Sequence, residues 1–156
     1  VGLVDGRLTM VPPRCLANLT NQYARGSLLR RAFFGLCLYA IAHEVKVALA
    51  SNTTAIVIGY WTDQAAFILN RRHLRPIELP KVGSSVYEFP KDLLAPDMVY
   101  YINYPYDANF VKFSTHSPIW KPKKIQIYHR FQGVNVMEID ASPGTEHAVE
   151  TILINS

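Results

Sequence analysis

The segment between Gly26 and Ser51 is the feature that most limits what this chain can fold into. It contains no proline, is rich in leucine, alanine and phenylalanine, and follows Ser27, a residue type that favours helix N-caps. On a helical wheel, apolar residues occupy both sides of its middle turns. A helix that is apolar all round is usually buried on several sides, so the segment predicts one long buried helix that ends at Ala50.

Two environments can bury such a helix: a sheet of the same chain that wraps it, or neighbouring subunits in a larger assembly. The 156 residues suffice for one substantial core, and an apolar fraction of 49% with 18% charged residues excludes a disordered chain. The sequence begins at Val1 without a signal-peptide layout and leaves the compartment open. A leader removed before Val1 would direct the protein to an organelle or to export.

Most of the remaining chain carries the patterns of strands. Residues 54–70 predict a hairpin, with a short helix capped by Thr62 as the alternative. Residues 124–131 alternate apolar and polar side chains and lead through Gln132-Gly133 into a second alternating stretch, which predicts another hairpin. The strands expected in the second half cover residues 85–89, 98–104, 110–114, 124–131, 134–139 and 149–154.

These patterns predict an α+β fold in which one long buried helix packs on an antiparallel, curved β-sheet. Residues 1–23 contain Pro12-Pro13 and predict an extended N-terminal arm with a short strand at 8–11. Residues 24–156 are then expected to form a single α+β domain. The longest apolar run, 32–42, is too short to cross a bilayer, and this disfavours a membrane span.

Basic residues are concentrated in separate stretches of a chain whose net charge is +4. Residues 71–81 carry four basic residues and one acid, and residues 112–130 carry five basic residues and no acid. Brought together, they would form a basic face for an acidic protein, an anionic lipid or a nucleic acid, beside a tyrosine-rich strand edge. The candidate partner-binding residues are Arg71, Arg72, Arg75, Lys121, Lys123, Lys124, Arg130, Tyr104 and Tyr106.

No motif that carries catalysis is present in the sequence. His43 and Glu44 begin an HExxH pattern, but Val47 stands where the second histidine is required. There is neither a phosphate-binding glycine loop nor a GxSxG elbow. The two cysteines, Cys15 and Cys37, are too few for a disulfide framework or a thiolate metal site, although they could pair with each other in an oxidising compartment. We therefore expect no catalytic residue, cofactor or metal.

The expected function is that of a non-catalytic interaction or assembly subunit, with other protein subunits as partners in a homo- or hetero-oligomer. One alternative is a small-molecule-binding or enzymatic domain with a cone-shaped sheet, similar to nuclear transport factor 2 in its order of elements but without a shared motif. The other is a nucleic-acid-binding domain, in which aromatic rings stack on bases and lysines hold phosphates. The enzymatic site would gather His116, His129 and Asp140 with Glu44 or His43.

Overall fold

A strand, a long helix and a second strand follow one another in the first part of the chain, in a computed structural model that describes residues 6–103 and 120–155. Strand β1 covers Gly6–Met10, helix α1 covers Leu28–Ala50 and strand β2 covers Thr54–Ile58. The two strands pair in parallel and both contact α1. Parallel neighbours need a crossover connection, and α1 lies within that connection.

Helix α1 begins and ends where the sequence predicts. The Ser27 hydroxyl accepts a hydrogen bond from the backbone N–H of Arg30 at 3.1 Å, which satisfies one of the free donors of the first turn. At the other end, the backbone N–H of Ser51 donates to the Ala48 carbonyl at 3.0 Å. The prediction of one long helix is confirmed. Its buried side chains, which lie on one half of the helix circumference, are Phe33, Cys37, Leu38, Ile41, Ala42 and Ala48.

The N-terminal segment is integrated into this arrangement, and its description as an extended arm is wrong. The predicted strand at residues 8–11 is present as β1, where Leu8 pairs with Ile56 and Met10 with Ile58. A 3-10 helix, Arg14–Gln22, follows and contacts α1. Residues 6–22 therefore supply part of the structure that packs on the long helix.

The predicted hairpin over residues 54–70 is wrong, because a helix follows β2. Helix α2 covers Trp61–Arg72 and begins two residues after Gly59. The φ of Gly59 is +74°, in the left-handed region that glycine adopts readily, so the chain turns here instead of continuing as a strand. An acid in the first turn and two arginines in the last turn complement the helix dipole. The helical alternative is the correct one, although Thr62 lies inside the helix and not at its N-cap.

A second parallel pair forms in the C-terminal half. Strand β3 covers Val99–Asn103 and strand β4 covers Val136–Asp140, and the two pair in parallel register. Helix α3, Trp120–Tyr128, lies between them in sequence, and helix α4, Thr145–Ile154, follows β4. The strands predicted at 98–104 and 134–139 are thus present, with shorter or shifted bounds.

Three other strand predictions in this half are wrong. Residues 124–131 lie mostly in α3, residues 149–154 lie in α4, and residues 85–89 contain the short 3-10 helix Ser85–Tyr87. The local alternation of apolar and polar residues concealed a helical spacing of the buried positions in and after α3. These positions are Lys123, Ile127, Tyr128 and Phe131. The strand predicted at 110–114 lies outside the described residues.

The predicted antiparallel, curved sheet is therefore also wrong. The strands of the described residues form two separate two-stranded parallel sheets, β1–β2 and β3–β4. A mixed α+β content is the part of the fold prediction that is loosely consistent with the structure. The alternative of a ligand-binding or enzymatic domain with a cone-shaped sheet depends on an antiparallel, curved sheet, which the described strands do not form.

Two compact units divide the chain. Unit 1 takes in the described chain up to Gln64 together with Pro90–Leu94, and unit 2 takes in Ala65–Phe89 and the described chain from Ala95 onward. Unit 1 has its core along α1. Unit 2 buries the aromatic residues Tyr87, Phe89, Tyr128 and Phe131, and in it a second cluster of Ile139, Ala141 and Ala148 joins β4 to α4.

Candidate interaction surfaces

One face of the β1–β2 sheet in unit 1 is apolar and open. Leu8 lies opposite Ile56 and Met10 lies opposite Ile58 in the parallel register. Their exposed fractions range from 48% to 60%. Successive strand residues point to opposite faces, so these four alternate positions share one side of the sheet. We call Leu8, Met10, Ile56 and Ile58 the open sheet face.

The other face of the same sheet lies against α1. Thr9, Ala55 and Val57 are half-buried. The Thr9 hydroxyl donates to Oε2 of Glu44 on α1 at 3.3 Å, and Nη2 of Arg7 lies 3.9 Å from the same oxygen. Parallel sheets are normally covered on both faces, whereas α1 covers only one face of β1–β2. The four aliphatic residues occupy the uncovered side.

Helix α1 has an exposed apolar stripe opposite its buried half. Leu29, Leu36 and Val47 are at least half exposed and fall within about 20° of one another on a helical wheel. Among the described residues, the expected burial of α1 on several sides is therefore not found. By its length and apolar composition α1 could also cross a membrane, but core helices of soluble proteins meet the same criteria. Its buried half packs in unit 1.

The first three predicted partner-binding residues lie at the end of α2 and just beyond it. Arg71, Arg72 and Arg75 are all exposed. The Arg71 guanidinium lies 5.5 Å from the Phe67 ring centroid. Nε of Arg75 donates to Oε1 of Glu78 at 2.7 Å, and this contact lowers the pKa of the Glu78 carboxyl. Arg71 and Arg72 lie at the surface, whereas the Arg75 charge is offset by Glu78.

The same stretch exposes aliphatic side chains to an unusual degree. The exposed fraction is 77% for Leu74, 87% for Ile77 and 74% for Val82, whereas Leu79 between them is 7% exposed. Singly exposed apolar residues are common, but here three lie within nine residues of one short segment. We call residues 71–82, with these aliphatic residues and the neighbouring cations, the basic-aliphatic loop.

Lys123 belongs to the predicted basic face but is buried, with 5% exposure. Its ammonium donates to three backbone carbonyl oxygens, those of Asn70 at 2.9 Å, His73 at 2.6 Å and Leu74 at 3.2 Å. An ammonium has three donors, and here all three are used. Burial lowers the pKa of this lysine. The side chain is a positive cap on the carbonyl end of α2.

Arg130 and Lys124 also make contacts within unit 2. Nη1 of Arg130 donates to the Pro80 carbonyl at 2.6 Å, and its guanidinium lies 5.9 Å from the Tyr87 ring centroid. Nζ of Lys124 lies 6.0 Å and 5.8 Å from the ring centroids of Tyr101 and Tyr128. The two basic stretches are thus brought together, but Lys123 and Arg130 bind backbone oxygens of this chain.

Three of the nine predicted residues cannot be placed on a surface. Lys121 lies in the first turn of α3, and its side chain lies outside the described part of the chain. Tyr104 and Tyr106 lie outside the described residues altogether, as does His116 of the enzymatic alternative.

The described members of the proposed enzymatic site are engaged in separate local contacts. Nε2 of His129 lies 3.1 Å from Oε2 of Glu138, and both groups are partly exposed. Asp140 accepts hydrogen bonds from the backbone N–H and hydroxyl of Ser142, which lower the pKa of its carboxyl. Glu44 contacts β1 in unit 1. No catalytic dyad or triad results from these contacts.

Metal-ligand clusters and closed polar pockets give no further candidate in the described chain. Within residues 6–103 and 120–155, no group of three or more His, Cys, Asp or Glu side chains could hold a metal ion. A shallow depression of about 320 Å³ on α4 is lined by Thr145, Glu146, Val149 and Glu150.

Cys15 and Cys37 are both free thiols, and burial raises the pKa of Cys37.

The open sheet face was missed by the sequence interpretation, although a signal for it exists. The order strand, helix, strand from β1 to β2 is typical of a parallel βαβ unit, whose sheet needs cover on both faces. The apolar run in β2 fits a strand that is covered on both faces as well as it fits one strand of a hairpin. The prediction of a separate arm over residues 1–23 obscured this order of strand, helix and strand.

No protein-family model and no solved structure matches this chain. Its sequence is 24% identical to human mitochondrial UMP-CMP kinase 2 over an alignment of 156 residues. The alignment takes in 91% of this chain and 35% of that protein, so the chain spans about a third of the length of the curated relative that it matches.

Proposed function

We propose that this chain is a non-catalytic interaction module that binds another protein surface, a second copy or a different subunit, through the open sheet face. The observation that carries the proposal is the half-covered β1–β2 sheet, with Leu8, Met10, Ile56 and Ile58 facing solvent. A helix or sheet from a partner would complete the layer that a parallel sheet normally has on its second face.

The four aliphatic residues supply a small apolar contact concentrated at one place in unit 1. Burying an aliphatic side chain fully is worth about 1.5–3 kcal/mol, and each of these four residues is about half exposed. Together they supply a few kcal/mol from a compact central patch, which is the role of hot-spot residues in protein interfaces. Polar residues around the patch then set the orientation of the partner.

Phosphoryl transfer, which the relative's name states for that protein, has no support in the residues of this chain. Kinases hold nucleotide phosphates with glycine-rich loops. The chain contains eight glycines, and no two are closer than Gly2 and Gly6. Neither a GxxxxGK[ST] nor a GxGxxG pattern occurs. The similarity is compatible with a module that accompanies catalysis performed by other residues.

A site-specific photo-crosslinker at Ile56, combined with sedimentation velocity over a range of protein concentrations, tests the proposal. Ile56 should give a discrete crosslinked product, and Ile58→Lys should remove it because a charge in an apolar interface is costly to desolvate. The matched control is the same crosslinker at Leu153, which is 70% exposed on α4. The crosslinking is carried out in cells that express the chain, so that a different subunit is captured as well as a second copy, and sedimentation velocity of the purified chain distinguishes the two. A crosslinked product no stronger at Ile56 than at Leu153 would overturn the proposal.

A further inference from the structure

The basic-aliphatic loop projects aliphatic side chains from a backbone that is held in place. The Lys123 ammonium binds the carbonyls of His73 and Leu74 at one end of the loop. At the other end, the Pro80 carbonyl accepts from Nη1 of Arg130 at 2.6 Å and from the Tyr87 hydroxyl at 3.0 Å. Ile77 therefore stands on a short 3-10 turn whose two flanks are attached to the rest of unit 2.

Charge around these aliphatic residues has one predominant sign. Arg71, Arg72 and Lys81 are exposed, and the one acid of the loop, Glu78, is occupied by Arg75. The loop thus combines solvated cations with branched aliphatic side chains that have almost no cover. That combination suits a surface with negative charge outside and hydrocarbon just beneath it.

We propose that the basic-aliphatic loop binds the surface of an anionic lipid bilayer. Leu74, Ile77 and Val82 enter the boundary between headgroups and acyl chains, while Arg71, Arg72 and Lys81 lie at the level of the lipid phosphates. Insertion removes the most exposed aliphatic groups of the loop from water. The cations gain from the negative surface potential of the bilayer, which falls off within about 10 Å at moderate salt.

A nucleic acid fits the same surface less well. Proteins that bind single strands stack bases on aromatic rings, and the loop sequence RRHLRPIELPKV contains histidine as its one aromatic ring. Three protruding aliphatic side chains would remain in water in a complex held by phosphate contacts alone. An acidic protein would need an apolar groove to receive Ile77, whereas a bilayer accepts a protruding side chain without one.

Vesicle flotation of the whole chain tests this proposal. We expect binding to vesicles of phosphatidylcholine and phosphatidylserine in equal parts, and binding at least about tenfold weaker to phosphatidylcholine alone, because each basic side chain near an anionic surface contributes severalfold. Ile77→Ser should weaken binding to the anionic vesicles by about tenfold through loss of the inserted side chain. Arg71→Gln combined with Arg72→Gln should weaken it similarly and make it less sensitive to salt.

The matched control is Ile154→Ser on α4, where the side chain is 82% exposed compared with 87% for Ile77. This variant should bind anionic vesicles as the unsubstituted chain does. Thermal unfolding of each variant distinguishes lost binding from lost folding. The proposal is overturned if anionic vesicles are not bound, or if Ile77→Ser and Ile154→Ser bind them equally. It is also overturned if single-stranded RNA, at the same concentration of negative charge as the lipid, displaces the chain from the vesicles.

Discussion

Lys123 is a buried lysine whose ammonium is held by backbone carbonyl oxygens of this chain. A lysine in the sequence KPKK suggests a solvated cation, because lysine is almost never fully buried unless it is paired. Its partners here are backbone carbonyl oxygens, at least 49 residues away in sequence. No local pattern reports such a contact. Charge distribution indicates that the two basic stretches would form one face if they met, but it reveals neither that they meet nor which contacts each cation makes.

Lys123→Met should lower the free energy of unfolding by about 1–3 kcal/mol, because the buried Asn70 hydrogen bond and the part-buried ones to His73 and Leu74 lose a donor that methionine cannot replace. The cost of keeping an ammonium buried, seen in its lowered pKa, offsets part of this loss. Urea unfolding followed by circular dichroism measures the difference.

The control for that substitution is the neighbouring residue. Lys124 is half-buried over the rings of Tyr101 and Tyr128, so Lys124→Met should cost no more than about 1 kcal/mol. Equal stability of the Lys123→Met variant and the unsubstituted chain would contradict the role of Lys123 as a helix cap.

At the scale of elements, local signals sufficed for α1 and for the positions of β2, β3 and β4. A serine cap, the absence of proline and a long apolar run specify a helix from residues that are close in sequence. The helices α3 and α4 were missed because isoleucine, valine and threonine favour strands when read locally. Their helical form follows the packing of positions such as Ile127 and Ala148, which local propensity does not reveal.

Tyrosine hydroxyls connect the segment Pro90–Leu94 to the rest of unit 1. The Tyr60 hydroxyl donates to the Leu94 carbonyl at 3.0 Å, and the Tyr39 hydroxyl donates to Oδ2 of Asp92 at 2.7 Å. Leu93 between them is buried. Burial, with a smaller contribution from Tyr39, raises the pKa of Tyr60 to about 12. The attachment of this segment should therefore depend on pH in the alkaline range.

Tyr60→Phe should lower the free energy of unfolding by about 1 kcal/mol near neutral pH, through loss of one hydrogen bond. The deficit should shrink between about pH 10 and about pH 12. In that window the unfolded chain has lost the phenolic proton and the folded chain retains it, so the contribution of Tyr60 to stability declines as pH rises. Urea unfolding at a series of pH values measures the free energy of unfolding of the Tyr60→Phe variant and of the unsubstituted chain. A deficit that stays constant across this range would contradict the assignment.

At the scale of the whole molecule, strand pairing was the part of the fold that the sequence could not reveal. Alternation predicts that a stretch is a strand, but the choice of neighbour depends on residues far away along the chain. β1 pairs with β2 across about 45 residues and β3 with β4 across a connection of about 30, so both pairs are parallel crossovers and neither is a hairpin. The open sheet face exists only because of the first pairing.

The two proposed surfaces share no residue and belong to different compact units, which predicts that they act independently. Ile58→Lys should remove the crosslink at Ile56 and change vesicle binding by no more than about twofold, because effects of separate sites are close to additive. Ile77→Ser should weaken vesicle binding and leave the crosslink intact. The double variant should show both losses, each equal to that of its single variant. If either substitution alters the other surface's binding severalfold, the two surfaces are coupled and the predicted independence is wrong.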